Sequence, residues 1–281
     1  MSSGLYLSQG ISKGAVQTLG GAAAQRFGSS ASATRTKETP EIVLYQYKIC
    51  PFCNAVKAVL DFYNVPYRCV EVNPASKEEI KEPWNTSEYK KVPIARIGGQ
   101  QVNDSLAIIE ELVEVLVSNG TITKAETEKF SGASAKKWAD WAGKSLGVLL
   151  FPNITRNFGE SWQAFGYIND VPHFGTKAKV VNRIFGPVAM WAAQGKIKKK
   201  YNIDDEREEL FAALKLWTSE IGDAPFHGGI SPDLADLYAF GTIRALQGMD
   251  THADVMKDEA VRQWYENMEN AVGTSAMTGW E

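Results

Sequence analysis

The spacing of hydrophobic residues changes character near residue 120. Before that point, β-branched and aromatic residues form two short runs, Ile42 to Tyr47 and Tyr67 to Val72. Between them a helical pattern opens at Pro51, with apolar residues that share one face: Phe52, Val56, Val59, Leu60 and Tyr63. Strand, helix and strand at this spacing predict a right-handed βαβ unit whose two strands are parallel.

A hairpin and a capped helix are predicted to follow. Val92 to Ile97 and Gln100 to Asn103 flank the turn Gly98-Gly99, and this pattern predicts a β-hairpin. Asp104-Ser105 then precedes an amphipathic run that stops at Asn119-Gly120, residues typical of a helix start and a helix end. Residues 40–120 are therefore predicted to form a thioredoxin-like α/β domain.

Strand patterns largely disappear after Thr121. Apolar residues instead recur at helical spacing in four stripes, which the periodicity predicts to be core faces of helices rather than a cofactor site. The stripes are Trp138, Trp141, Ser145 and Leu149; Val181, Ile184, Val188 and Trp191; Leu210, Leu214, Trp217 and Ile221; and Val261, Trp264, Met268 and Val272. Residues 121–281 are therefore predicted to form an all-helical domain, in which Asp233 and Asp236 cap the helix from Leu234 to Gly248.

The first residues differ in composition from everything that follows. Met1 to Lys37 is rich in serine, alanine and glycine, contains basic residues and has no acidic ones. This bias is typical of a transit peptide, so residues 1–39 are predicted to be a leader that addresses the chain to a mitochondrion or a plastid. A disordered tail or a cloning leader is the alternative. No apolar run here or later reaches the roughly 20 residues that a transmembrane helix needs.

Composition and charge narrow the class of partner. The chain has 281 residues, 44% of them hydrophobic, which is enough for a substantial core. Thirty basic against 33 acidic residues give a net charge of −3, and this argues against nucleic acid as the main partner. Three cysteines and three histidines without paired spacing do not supply the four ligands of a structural zinc site, so no metal is predicted.

Two of the three cysteines stand in the segment Tyr47-Lys48-Ile49-Cys50-Pro51-Phe52-Cys53. Cys50 ends the first strand, and Pro51 takes the first helical position. Free backbone N–H groups and the helix dipole favour the thiolate there, so Cys50 is predicted to be a nucleophile with a lowered pKa. Cys53 lies one turn deeper, where burial favours the thiol, and is predicted to be a resolving partner. Cys69 lies in mid-strand and is predicted to be core.

A binding groove is predicted opposite the Cys50 thiol. A cis bond at Val92-Pro93 would turn the Val92 backbone toward Cys50 and offer one strand edge to an extended peptide, whereas a trans proline would simply start a strand. Asp104 and Ser105 supply donors at a helix start, which suit a carboxylate, or they are only a helix cap. This layout fits a small γ-linked thiol peptide such as glutathione.

The same residues resemble the glutathione transferase superfamily, whose members join a thioredoxin-like domain to a helical one. The segments "LYQYKICPFCNAVKAVLDFYNVPYRCVEVNP", "YKKVPIARI", "VNDSLAII" and "PDLADLYAFGTIRALQGMD" are similar to the type 2 prostaglandin E synthases. That resemblance implies that glutathione is held at Val92-Pro93, Asp104 and Ser105, and that Cys50, with Tyr47 nearby, serves the reaction.

The implied reaction is isomerisation of prostaglandin H2 to prostaglandin E2, on a lipid-derived substrate held against Phe52 and Tyr47. The family resemblance also implies haem bound together with glutathione, and the superfamily implies a homodimer. Arg244 and Lys198 are candidate contacts for an anion or haem, and the basic run around Lys198 is a candidate for peripheral membrane contact, although a solvated helix end is the simpler interpretation. Two alternatives stay open: a thiol-disulfide oxidoreductase and a non-catalytic haem-glutathione binding protein.

Overall fold

The computed structural model describes residues 38–81, 84–85 and 88–281, and a five-stranded sheet organises its N-terminal part. The leader predicted over residues 1–39 lies outside the described residues, apart from its last two. Strands β1 (Ile42–Gln46) and β2 (Tyr67–Glu71) are parallel and flank helix α1 (Pro51–Phe62). The predicted βαβ unit is therefore confirmed.

The predicted hairpin is also confirmed, as strands β3 (Ile94–Ile97) and β4 (Gln100–Asn103). Strand β3 runs antiparallel to β1, and helix α2 (Ser105–Ser118) begins directly after β4. Successive side chains of a strand point to opposite faces, so the sheet separates two cores. Ile42 and Leu44 of β1 pack with the helices, whereas Val43 and Tyr45 pack into a smaller cluster on the other face.

The edge of the sheet beyond β2 is closed by the other end of the chain. Strand β5 (Met277–Trp280) lies parallel to β2, which gives the strand order β4-β3-β1-β2-β5. The sequence pattern predicts only helix in this half, so β5 is an addition to the predicted fold. A four-residue strand has too little periodicity to be recognised without its partner.

Nine α-helices follow within the described residues: α3 (Glu128–Ser131), α4 (Ala133–Trp141), α5 (Gly147–Asn153), α6 (Phe158–Ala164), α7 (Thr176–Tyr201), α8 (Glu206–Ile221), α9 (Leu234–Arg244), α10 (Asp250–Val255) and α11 (Glu259–Val272). The predicted helical C-terminal part is thus confirmed. One π-helical turn at Ala142–Leu146 interrupts the first predicted stripe. The described residues from Glu38 onward belong to a single compact unit, so the boundary at residue 120 stays a prediction.

Helices α1 and α9 form the main contact between the sheet region and the helical region. Gly241 makes this approach feasible, because a Cβ there would lie 2.4 Å from the backbone oxygen of Asn54. Helix α9 is buried along most of its length and begins with the predicted capping pair, Asp233 and Asp236. The start of α1, which carries Cys50, is therefore held from behind by a rigid central helix.

One predicted core face is wrong. Leu210, Leu214 and Trp217 of α8 and the stripe of α11 are buried, as predicted. On α7, however, Ile184, Val188 and Trp191 are 46–51% exposed. Periodicity shows that these residues share one face of the helix, but it carries no information on what covers that face. Among the described residues, no helix is both long enough and apolar enough to cross a membrane.

Candidate functional site

Cys50 occupies the N-cap of α1, as predicted. Its backbone is extended, with φ −81° and ψ 120°, and its sulfur accepts a hydrogen bond from the backbone N–H of Cys53 at 3.4 Å. Pro51 follows at the first helical position and has no N–H to satisfy. The Cys50 sulfur thus lies at the backbone donors of a helix start and accepts a hydrogen bond from one of them.

The two neighbouring cysteines differ sharply in access. Cys50 is 9% exposed, whereas Cys53 is completely buried. Burial raises the pKa of the Cys53 thiol, and its hydrogen bond with Cys50 raises that pKa further. Cys53 therefore remains a protonated thiol. Cys69 is buried in β2, where burial raises its pKa to about 12, and it is core as predicted. All three cysteines are free.

The loop before Cys50 is braced by a residue that the sequence analysis does not single out. Buried Asn54 donates from its Nδ2 to the backbone oxygens of Lys48, at 2.8 Å, and Cys50, at 2.9 Å. The backbone N–H of Cys50 donates to the oxygen of Tyr47 at 2.9 Å. These bonds fix the backbone on both sides of the Cys50 side chain. A buried asparagine one turn into α1 is the signal that points to this role.

Tyr47 is predicted to serve the reaction, and it lies close to both sulfurs. Burial is the main cause that raises the pKa of its phenol, and electrostatic interaction with the neighbouring Cys50 raises it further. The phenol therefore keeps its proton at neutral pH and is a hydrogen-bond donor. In the sheet region Tyr47 packs against the same cluster as Val92.

Glu71 and Tyr167 extend the site beyond the predicted residues. Glu71 is fully buried; it accepts hydrogen bonds from Gln46 Nε2 at 3.1 Å and the backbone N–H of Lys48 at 2.8 Å. Its carboxyl also bonds the Tyr167 phenol. Burial raises the pKa of Glu71 to about 7, so it titrates near neutral pH. An acidic residue between Val70 and Val72 in a buried strand is the sequence signal that could have identified it.

A cavity of about 400 Å³ opens beside Cys50. Tyr47, Phe52 and Tyr167 line it. Tyr47 and Phe52 are the two residues against which the sequence analysis places a lipid-derived substrate. Its other walls are mostly apolar, and more than half of their residues come from α5 and α7: Gly147, Val148, Leu150, Phe151, Met190, Ile197 and Tyr201. A volume and lining of this kind suit a small, largely hydrophobic molecule.

The predicted glutathione residues lie on the hairpin side of the site. The Val92-Pro93 peptide bond is cis, which decides an alternative that the sequence left open. Asp104 caps α2 by accepting the N–H of Leu106 at 3.0 Å, and its φ of 78° is in the left-handed region. A non-glycine residue with this backbone is uncommon and often belongs to a functional site.

Tyr238 of α9 links these residues to the cysteines. Ser105 is buried, and its hydroxyl lies 2.7 Å from the phenol oxygen of Tyr238. Burial raises the pKa of Tyr238, and the negative charge of Asp104 raises it further. The side chain of Ser105 is thus engaged with the protein, and its backbone N–H lies at the start of α2, where helical N–H groups have no partner within the helix.

The two cations predicted to contact an anion or haem are already paired. Arg244 donates from Nη1 to Asp61 Oδ2 at 2.8 Å and from Nη2 to the backbone oxygen of Asn54 at 3.2 Å. Lys198 forms an ion pair with Glu206. Arg244 therefore supports the brace behind Cys50, and a contact of either cation with an external anion stays a prediction.

Comparisons with known proteins agree with this geometry. Residues 44–115 match the family described as glutathione S-transferase, N-terminal domain. Prostaglandin E synthase 2 of Mus musculus is 33% identical over 86% of this chain and 73% of that protein. The Danio rerio protein of the same name is 34% identical over 82% of this chain and 71% of its own length.

Solved structures show the same fold. Glutathione transferase F7 from Populus trichocarpa has a TM-score of 0.52 and 16% identity, covering 83% of this chain and all (100%) of its own. A possible glutathione S-transferase from Rhodopseudomonas palustris has a TM-score of 0.52 and 17% identity, covering 84% of this chain and 97% of its own. The fold, the match over residues 44–115 and the curated relatives agree: this chain belongs to the prostaglandin E synthase 2 family of the glutathione transferase superfamily.

Proposed function

We propose that this protein is a glutathione-binding isomerase that converts prostaglandin H2 to prostaglandin E2. The observation that carries the proposal is the 400 Å³ apolar cavity that opens directly onto Cys50. A disulfide exchanger needs an accessible thiol and a peptide groove, whereas an apolar cavity of this size suits a fatty-acid-derived substrate. Glutathione would lie on the other side of the thiol, along Val92-Pro93 and the start of α2, where Asp104 and Ser105 stand.

The proposed reaction is balanced within the substrate. A thiolate, from Cys50 or from bound glutathione, attacks the endoperoxide oxygen on carbon 9, and the O–O bond breaks to leave an alkoxide on carbon 11. A base then takes the hydrogen of carbon 9 as a proton, and the C–H electron pair forms the ketone while the sulfur leaves again as thiolate. Protonation of the alkoxide completes the isomerisation, so no external oxidant or reductant is consumed.

The residues around the cavity can assist both proton transfers. Tyr47 keeps its proton because burial raises its pKa, and it is the candidate donor to the developing alkoxide. Tyr167 lines the cavity and bonds to Glu71, whose pKa is about 7. This pair is the candidate acceptor for the proton from carbon 9, with Glu71 in its carboxylate form.

Product analysis tests the proposal. Purified full-length protein is incubated with prostaglandin H2, with and without glutathione, and the products are separated and quantified. Conversion to prostaglandin E2 above the rate of spontaneous decay is the expected result. Glutathione-dependent reduction of a mixed disulfide, with no acceleration of prostaglandin E2 formation, would instead assign the protein to the thiol-disulfide oxidoreductases.

Haem binding is a separate part of the proposal, and it rests on the family resemblance alone. Haem bound together with glutathione would take the glutathione thiol as its iron ligand. A Soret band that depends on added glutathione is the expected result of a titration with haem. If the band is absent, haem and the non-catalytic haem-glutathione protein are both removed from consideration. Homodimer formation is likewise proposed from the superfamily and is checked by light scattering.

A further inference from the structure

A second cavity, of about 450 Å³, shares a wall with the apolar cavity beside Cys50. Ile49 and Tyr167 line both cavities. The rest of the second lining is different in character, because it includes the cationic side chains Lys48, Lys57 and Arg244. A volume of this size is typical of a small-molecule site. We call this space the polar cavity, and the proposed reaction uses none of its three cations.

The acidic residues of the polar cavity do not balance these cations. Asp61 and Asp170 are the two carboxylates among the described residues that line it. Asp61 is already engaged within the protein, since it accepts hydrogen bonds from Arg244, Tyr67, Ser275 and the backbone N–H of Ala276. Asp170 is exposed and is therefore the only lining carboxylate that remains for the two lysines. An excess of positive charge is left in the cavity.

Lys57 carries the most unbalanced of these charges. It is half-buried on α1, and within the described part of the chain it has neither a hydrogen bond nor an ion pair. Burial lowers the pKa of its ammonium group, and the positive charge of Arg244 lowers it further. The negative charge of Glu71 acts in the opposite direction but offsets this only in part. Two cations that repel each other at the wall of one cavity are stabilised by an anion bound beside them.

The available donors favour a phosphate over a carboxylate. Arginine holds a carboxylate best through two parallel N–H donors of its guanidinium group. Both Nη atoms of Arg244 are already in use, by Asp61 Oδ2 and by the backbone oxygen of Asn54. The ammonium groups of Lys48 and Lys57 remain, and each is a compact charge with rotatable donors. A phosphate has acceptor oxygens in several directions, so it can bond to both lysines at once.

We propose that the polar cavity binds the phosphate group of a small molecule between Lys48 and Lys57, next to Arg244. Inorganic phosphate would fill only part of a space of about 450 Å³, so a phosphate ester is the preferred source. Ile49 and Tyr167 would stand between this ligand and the apolar cavity. The site is therefore distinct from the one in which prostaglandin H2 is proposed to react, and it does not depend on that function.

Isothermal titration calorimetry of the full-length protein tests the proposal, with inorganic phosphate and glycerol 3-phosphate as probes. Sodium chloride at the same ionic strength is the reference, because salt screens all surface charges. We expect saturable binding with a Kd of about 1 mM or tighter for at least one probe. The probe that binds more tightly shows whether an ester or free phosphate is the ligand. Saturating glutathione should leave this Kd unchanged, since glutathione is proposed to lie along the hairpin.

Four substitutions locate the binding. Lys57→Met keeps the length of the side chain and removes its charge, so we expect a loss of affinity of about tenfold or more. Lys48→Gln should also weaken binding, and because Lys48 is exposed this variant decides the matter if Lys57→Met fails to fold. Asp170→Asn should tighten binding, because it removes the remaining carboxylate of the cavity. Lys215→Gln is the matched control, since Lys215 is exposed on α8 outside the cavity, and it should bind like the wild type.

Three results would overturn the proposal. Neither probe binds more than the sodium chloride reference allows, or both lysine variants bind as tightly as the wild type. In the third case glutathione displaces the phosphate, which would then lie in the groove near Val92 and Asp104. Prostaglandin E2 formation is measured separately, so failure of the phosphate site and failure of the proposed function are distinguishable.

Discussion

Two buried polar clusters in this molecule both combine acidic groups with other ionisable side chains, but their surroundings differ. The thiol cluster consists of Cys50, Cys53, Tyr47, Glu71 and Tyr167 at the start of α1. The cap cluster consists of His227, Asp233 and Asp236 at the start of α9. Ligand atoms of these three residues all lie within 4.8 Å of one another, a spacing that by itself would suit a metal ion.

The hydrogen bonds separate the two clusters. In the cap cluster, Asp236 accepts the backbone N–H groups of His227, Gly228 and Asp233 and the indole N–H of Trp264. Asp233 accepts two backbone N–H groups of α9 and lies 2.6 Å from His227 Nδ1.

These bonds occupy the carboxylate oxygens of the cap cluster, and the Trp217 ring stacks on the imidazole of His227. The thiol cluster instead borders a cavity and retains a sulfur that is partly accessible. A neighbouring cavity and an accessible sulfur that is not fully hydrogen-bonded distinguish the thiol cluster from the cap cluster. Residue identity alone does not.

The largest effect is expected from a substitution that changes the thiol cluster and leaves the cap cluster intact. We expect Cys50→Ser to lower the rate of prostaglandin E2 formation by at least about 100-fold, because the variant lacks the nucleophile. Cys53→Ser should retain activity within about threefold, since the buried thiol is not required for isomerisation. Initial rates of the two variants, with unfolding curves as controls, make the comparison. Equal losses in both variants would favour a disulfide mechanism, and full activity of Cys50→Ser would exclude Cys50 as the nucleophile and leave glutathione in that role.

The converse experiment breaks the cap cluster. Asp236→Ala leaves four N–H donors without an acceptor, two of them in buried hydrogen bonds, and removes half of the capping box, so we expect a loss of about 4 kcal/mol in the free energy of unfolding. Activity per folded molecule should stay near that of the wild type. Urea unfolding and active-site titration measure the two quantities, with Asp236→Asn as the milder matched variant. A stable but inactive Asp236→Ala protein would contradict the division between the clusters.

A third expectation concerns pH and Glu71. The fold raises the pKa of Glu71 from 4.5 to about 7, so the folded protein holds a proton that the unfolded chain releases. Retention of this proton contributes about 3 kcal/mol to the free energy of unfolding. The contribution is complete below pH 4.5 and is lost as the pH rises to about 7. Glu71→Gln should therefore unfold with a flatter pH dependence in this window. It should also lose the part of the activity that rises through pH 7, if Glu71 accepts the proton. Unchanged pH profiles would remove Glu71 from the site.

The smallest effect tests the ion pair in the cap cluster. The hydrogen bond with Asp233 is the main cause that raises the pKa of His227 above 6.5. The stabilisation by the charged pair is therefore complete below pH 6.5 and decreases as the pH rises through the higher pKa of the folded state. We expect His227→Gln to cost about 1 kcal/mol at pH 6 and less at pH 9. Unfolding curves at the two pH values measure the difference, and a cost that grows with pH would be the wrong sign.

Local signals predicted much of the fold and the first residue of the site. The positions of β1, α1, β2, the hairpin and α2 follow from short-range spacing and from turn and capping residues. Cys50 at the helix start belongs to this class, because a strand end, a proline and a helix pattern are all adjacent in sequence. The capping pair Asp233 and Asp236 was predicted for the same reason.

Contacts between distant segments could not be predicted in this way. Strand β5 pairs with β2 across more than two hundred residues, and Tyr167 meets Glu71 although nothing in the sequence near Tyr167 marks it. Periodicity predicts that the apolar stripe on α7 is a core face, yet Ile184, Val188 and Trp191 of that stripe are exposed to solvent. Periodicity orders the side chains around one helix, whereas the helices packed against it decide which face becomes buried.

The sequence by itself determined the candidate nucleophile: a cysteine at a helix start, followed by a proline and a second, deeper cysteine. Only the tertiary structure decided what that sulfur can meet, because the cavity is formed by α5 and α7 and the brace behind the loop by Asn54 and α9. Reactivity is set by the bonds and charges within one turn of the chain. Specificity depends on the size and shape of the cavity, and a cavity forms only when distant segments of the chain pack together.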